Sequence, residues 1–426
     1  MQRVQLIFDS IFLGTVQMSL FSDLISTLFE KRYRNLFLAN AQDKNIIELA
    51  KDLLGSFGEV SGGALAHMVF DKYSQITLDE KRAFFKFMAH DLEIDPDEVR
   101  TALDAYQNEP SETTYKEFST ASEPKRQELI RRLNHPDGAT ERLVGMRKDL
   151  LSLIKDSPEL APVGIDLKHL FTSWFNRGFL VLRPINWSSP AEILEKIIAY
   201  EAVHAINSWE DLRARLQPED RRCFAFFHPA MPDEPLIFVE VALTKGIPNS
   251  IQGLLETNRD PIPPEDADTA VFYSISNCQQ GLAGISFGNS LIKQVVSDLS
   301  LAIPSLTKFV TLSPIPKLTS WLQKGEVISK EKYTNQALAA YYLLNAKNDG
   351  GKPYDPVARF HLGNGAMLHA VHADADKSAN GLDQSGGVMV NYQYDLKKIP
   401  QNHERFLSEN KIAVSTEVRA LGASVK

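Results

Sequence analysis

The spacing of apolar residues changes character once along this chain, near residue 160, and that change limits the folds open to it. Before it, residues 44–54 and 65–73 repeat apolar side chains at helical spacing. Thr77-Leu-Asp-Glu80 has the form of a capping box, in which hydroxyl and carboxylate satisfy each other's backbone amides at a helix start. Asp95-Pro96 is a second start signal, because a missing N–H costs nothing in a first turn. Residues 123–133 and 140–154 carry further helical patterns, so 1–160 predicts an all-α bundle for support or subunit packing. Its cations Lys125, Arg126, Arg131, Arg132, Arg142, Arg147 and Lys148 read as a solvated helix face balanced by Asp and Glu. The opening, MQRVQLIFDSIFLGTVQM, is apolar but carries Asp9 and lacks a clear cleavage site. An N-terminal helix or a remnant is expected there rather than a signal peptide.

Beyond Pro158 and Pro162, short β-rich runs alternate with helical ones. Residues 178–185, 222–227, 236–243, 270–276, 309–312, 360–373 and 388–394 read as strands. Helices are expected in AEILEKIIAYEAVHAI, at 209–216, in NSLIKQVVSDL and at 330–345, and HPAMPDEP reads as a hairpin connection. The order is strand, two helices, three strands, helix, strand, helix, two strands. At the level of topology this is the order of the GNAT acyltransferase fold. The predicted division is a helical domain over 1–160 and a GNAT-like mixed α/β domain over 161–426.

Composition narrows the function. A net charge of −8 argues against bulk nucleic-acid binding, though backbone amides at one helix start still suit a phosphate. Cys223 and Cys278 form neither a disulfide framework nor a zinc site, which points to a reducing compartment, the cytoplasm by default. No apolar run reaches the roughly 18 residues that span a bilayer.

Three motifs carry chemistry. In QQGLAGISFGNSLIKQVV, Gly281, Gly284 and Gly288 let the backbone approach a ligand ahead of a helix start near Asn289, with Lys293 one turn inside. A pyrophosphate site and a plain glycine-rich turn fit that spacing equally. In Leu312-Ser-Pro-Ile-Pro316, Pro314 biases Ser313 toward extended geometry at a strand end, where a turn role is the commoner one. In FHLGNGAMLHAVHADAD, at 360–376, His372, Asp374 and Asp376 would line one face of a strand and with His369 resemble metal ligands. The other reading keeps one working histidine, His361, before the Asn364-Gly365 turn signal.

These segments, with HPAMPDEPLIFVEVALTKGI, DPVARFHLGNGAMLHAV and VMVNYQYDL, resemble the malonyl-CoA decarboxylase family over most of 165–395. The resemblance implies a helical domain joined to a GNAT-like catalytic domain, and an oligomer, typically a tetramer. It implies conversion of malonyl-CoA to acetyl-CoA and carbon dioxide without metal or organic cofactor. The family's catalytic serine and histidine fall on Ser313 and His361. Substrate and coenzyme A contacts are expected from Ser274, Gln280, Gly281, Leu282, Ala283, Gly284, Ser286, Asn364 and Tyr394. Some relatives have Glu where this chain has Ser286. On this reading Ser313 orients the malonyl carboxylate, amides near 273–277 hold the thioester oxygen, and His361 protonates carbon with a pKa near working pH. The rivals are an acyl-CoA-dependent transferase on the same fold and a non-catalytic acyl-CoA-binding scaffold.

Overall fold

A computed structural model describes residues 43–56, 58–285, 288–324 and 332–425; the apolar opening stretch and Ser286 lie outside them. Contacts divide the chain into two units, the first ending at Trp174 and taking in Gln280–Ile285, the second comprising the remainder.

The first unit is helical: α1 (Ile46–Gly55), α2 (Glu59–Gln75), α3 (Leu78–His90), α4 (Pro96–Asn108), α5 (Glu112–Ala121), α6 (Lys125–Leu133), α7 (Ala139–Leu153) and α8 (Ala161–Trp174). Both start signals hold. Glu80 Oε2 accepts from Thr77 N at 2.8 Å, and Asp95 Oδ1 accepts from Asp97 N at 2.9 Å. The unit extends past the expected limit at 160 because α8 buries Val163, Leu167, Leu170 and Phe171 in it. The basic residues are not one solvated face. Arg126 is buried against Asp166, and Arg132 Nη1 donates to the carbonyls of Leu53, Leu54 and Ser56, each at 2.8 Å. Those carbonyls end α1, where helical partners run out.

The second unit is a mixed sheet with helices. Its elements are β1 (Val181–Ile185), α9 (Ala191–Tyr200), α10 (Trp209–Leu216), β2 (Arg221–Phe227), β3 (Ile237–Thr244), α11 (Ile251–Leu255), β4 (Thr269–Asn277) and α12 (Gly288–Ala302). They continue as β5 (Lys308–Thr311), β6 (Ser313–Pro314), α13 (Leu318–Lys324), α14 (Asn335–Asn345), α15 (Pro356–Gly363), β7 (Met367–His372), α16 (Ala379–Ser385), β8 (Met389–Gln393), α17 (Ile399–Glu409) and α18 (Thr416–Ala423). The sheet order is β1-β2-β3-β4-β5-β8-β6, with β7 on β8. β1 to β4 are antiparallel and β4 pairs β5 in parallel across the α12 crossover. One core forms where Ile193, Leu194 and Ile197 of α9 and Leu212 of α10 meet Cys223, Ala225, Phe227 and Phe238. Both cysteines are buried and free, small apolar fillers rather than reactive thiols.

One departure from expectation matters for the site. Residues 360–373 are not one strand: 356–363 is helix and only Met367–His372 is strand. The signal was present in Asp355-Pro356, the same start grammar as Asp95-Pro96, and Asp355 Oδ1 accepts from Val357 N and Ala358 N at 2.9 Å each. In agreement with the sequence reading, among the described residues no helix is long and apolar enough to cross a membrane.

Candidate active site

β4 and β5 run together only as far as Phe272↔Thr311; the chain then crosses to β8, where Ser313 pairs Val390. Beyond that point no strand among the described residues pairs the β5-facing edge of β4. The β3–β4 register also slips, Glu240 facing Ser274 and Val241 facing Phe272, so Tyr273 is the extra residue of a bulge. The divergence leaves a pocket of about 360 Å³, lined in part by Val203, Phe272, Tyr273, Ser313, Phe360 and His361.

At its floor stands a chain of buried polar groups. Ser313 Oγ donates to Thr311 Oγ1 at 2.8 Å and lies 3.2 Å from His361 Nε2. With that hydroxyl proton committed to Thr311, Nε2 carries the imidazole proton and Nδ1 accepts from the Tyr394 hydroxyl, 2.8 Å away. The imidazole stacks on Tyr392, ring centroids 4.6 Å apart, so its rotation is fixed. Burial without a charged partner pushes the His361 pKa down to about 3, so the ring is neutral. This differs from the acid poised near working pH that the sequence reading expects. Burial likewise pushes the Tyr394 phenol up, with Asn364 easing the rise. Neither polar atom of the buried Asn364 amide closes a well-formed hydrogen bond among the described residues.

Ser274, expected as a substrate contact, is taken. Its hydroxyl donates to the Glu201 carboxylate at 2.7 and 2.8 Å, and the same carboxylate accepts from Val203 N and His204 N. Glu201 thereby ties the Val203 wall of the pocket to β4. Sequence reasoning missed Glu201, because its partners lie on a strand some seventy residues away.

The expected coenzyme loop, residues 280–284, belongs to the first unit. Buried Arg147 of α7 donates to the Gly281 carbonyl through Nη1 and to the Ala283 carbonyl through Nη2, the latter at 3.0 Å. Leu282 is buried, whereas Gln280, Ala283 and Gly284 are exposed. At Gly281 an added Cβ would sit 2.0 Å from the Val144 carbonyl oxygen. Gly281→Ala is therefore expected to lower stability by at least about 2 kcal/mol, the scale of backbone overpacking. A urea midpoint equal to the parent's would show that the loop can retreat from α7. Lys293, in the second unit, is pushed down by burial and by the neighbouring Arg177 cation.

The remaining histidines and aspartates do not assemble as read from the sequence. β7 ends at His372, and Asp374 has a positive φ of 52°, so the strand alternation stops before the aspartates. His372 Nε2 bonds Asn391 Oδ1, and Asn391 Nδ2 donates to the Thr311 carbonyl at 2.6 Å. It therefore braces the strand that delivers Ser313, a support role rather than decoration. Burial pushes Asp376 up, but hydrogen bonds from Ser378 and Gln252 outweigh it and hold the carboxyl low. His369 is pushed down by burial. Among the described residues no three His, Cys, Asp or Glu side chains converge as a metal site.

The profile of the malonyl-CoA decarboxylase C-terminal domain matches residues 178–337 and 328–425, and that of the N-terminal domain matches 92–175. The mitochondrial malonyl-CoA decarboxylase of Mus musculus is 34% identical over 357 residues, 70% of this chain and 71% of that protein. The malonyl-CoA decarboxylase crystal structure from Rhodopseudomonas palustris is 48% identical with a TM-score of 0.83, covering 88% of this chain and 98% of the other. That from Agrobacterium vitis is 45% identical with a TM-score of 0.84, covering 88% and 99%.

Proposed function

The chain belongs to the malonyl-CoA decarboxylase family, and from that premise we propose that it converts malonyl-CoA to acetyl-CoA and carbon dioxide in the pocket between β4 and β6. The observation that carries this reading is the buried Tyr394–His361–Ser313 chain opening beside an unpaired strand edge.

The chemistry follows from those groups. The thioester oxygen lies against the free amides of the β4 edge, each such donor contributing about 3 kcal/mol to an oxyanion. As substrate binds, the Ser313 hydroxyl turns from Thr311 to donate to the malonyl carboxylate, holding it so that its C–C bond lies parallel to the thioester π system. That bond breaks, its electron pair enters the thioester as an enolate, and carbon dioxide leaves. The enolate carbon then takes a proton from His361. The anionic substrate brought into a dry pocket raises the His361 pKa from its low value, so the ring takes up a proton from solvent as substrate binds and delivers it from Nε2 to the enolate carbon, returning to the neutral form. Tyr394, hydrogen-bonded to Nδ1, orients the ring and connects it to the next proton. As the family resemblance implies, the reaction proceeds in a homo-oligomer, a tetramer, without metal or organic cofactor; the two free cysteines favour a reducing compartment, the cytoplasm by default.

The test is incubation of chelator-treated protein with malonyl-CoA. Stoichiometric acetyl-CoA and carbon dioxide are expected with no acceptor added. Product only in the presence of an amine acceptor would make it a transferase, and turnover only with added metal would overturn the cofactor-free reading.

A further inference from the structure

We propose that the helical unit contributes a cation, Lys168, to a phosphate-binding subsite at the loop 280–284, where it takes a phosphate of the coenzyme; this rests on reading that loop as the coenzyme's. Arg147 fixes the loop from one side by holding the carbonyls of Gly281 and Ala283. In a trans peptide the N–H points opposite to its C=O. Turning the Ala283 carbonyl toward Arg147 therefore turns the Gly284 N–H away from α7, to the exposed side of the loop.

Beside Gly284 stands a lysine. Gly284 has a φ of +78°, and the atoms within 4 Å of its Cβ position are Lys168 Nζ at 3.7 Å and Cε at 3.8 Å. A side chain at 284 would be strained by the backbone and would also occupy the space beside the ammonium. Lys168 is exposed on α8, and no carboxylate among the described residues forms a salt bridge with it. The acid nearest it in sequence, Asp166, is taken by Arg126 and by Gln127 Nε2 at 2.6 Å. An outward amide and an unneutralised ammonium present donors and positive charge, which select an anion. On a chain of net charge −8 such a pairing is not a general property of the surface. Lysine reads phosphate as a point charge, so the subsite supplies attraction more than geometry. The helical unit then does more than support, because Arg147 shapes the loop and Lys168 charges it.

The test compares two substrates in the full chain: malonyl-CoA and malonyl-N-acetylcysteamine, which keeps the reacting thioester and lacks every phosphate. Lys168→Glu is expected to raise KM for malonyl-CoA about tenfold, equivalent to about 1.4 kcal/mol. kcat should be unchanged, both constants for the phosphate-free thioester should be unchanged, and Lys168→Arg should restore the parental KM. An unaltered KM for malonyl-CoA in Lys168→Glu, or an equal loss with both substrates, would overturn the subsite. Should the parent turn over neither thioester, the proposed activity has failed instead. Calorimetric titration of coenzyme A into parent and Lys168→Glu then reads the subsite alone, and equal affinities would reject it.

Discussion

His361→Ala and Ser313→Ala are each expected to lower kcat for malonyl-CoA by about 10²- to 10⁴-fold, the range of a lost proton donor or positioning group. Both side chains are buried at the floor of the pocket and neither carries a net charge, so their removal leaves no uncompensated ion. Circular dichroism and the melting transition should accordingly remain those of a folded protein. The two losses should also be non-additive. Ser313 and His361 act through one hydrogen bond of 3.2 Å, and the double variant should be little slower than the worse single one. Multiplying losses would mean that the two act separately, and a near-parental kcat in either single variant would remove that residue from the mechanism.

The largest stability effect is expected away from the pocket chemistry, at Arg215. Its Nη1 donates to Glu240 Oε2 at 3.0 Å, and the Glu240 side chain is fully buried. Removing one partner of such a pair strands the other, which costs about 3–5 kcal/mol. Arg215→Met should lose stability on that scale, and the sign of its pH dependence is fixed. Burial pushes the Glu240 carboxyl up to about 7, with Arg215 drawing it back down. The folded pKa therefore lies above the unfolded one, so the acid's contribution is fully favourable below its ordinary value and is lost as pH rises toward 7. Without the guanidinium the folded pKa rises further and the loss extends to higher pH. Urea midpoints should show a modest deficit for Arg215→Met at pH 5.5 and a larger one at pH 8. A deficit that is the same at both values would mean that Glu240 is neutral throughout and that the pair is not ionic.

Glu240 also faces Ser274 across the register slip that makes Tyr273 a bulge. The ion pair thus sits behind the strand edge that the mechanism uses for the thioester oxygen. Loss of Arg215 should disturb activity as well as stability, whereas the Ser313 and His361 variants should disturb activity alone.

Local order was largely legible in the sequence. The capping boxes, the Asp-Pro helix start and the alternation of strand and helix depend on residues within one or two turns of each other, and those interactions survive in any tertiary setting. The pairing of Ser313 with His361 was legible only through family resemblance, since 48 positions separate them. Where local reasoning failed, it met a competing local signal or a distant partner. The apolar neighbours of His361 read as a strand, whereas Asp355-Pro356 starts a helix that carries it. Arg126, Arg132 and Arg147 were read as solvated because their partners, Asp166, the end of α1 and the loop 280–284, are remote in sequence.

By itself the sequence determined the helical and mixed-sheet halves, the helix starts and the identity of the polar groups on offer, since these depend on propensity and short-range hydrogen bonds. Only the tertiary structure decided what those groups do. Burial made His361 a neutral imidazole, and the Glu201 carboxylate withdrew Ser274 from the pocket. Contact with Arg147 joined the glycine loop to the helical unit. Each of these depends on desolvation or on a partner many residues away, and neither is encoded in a short stretch of chain.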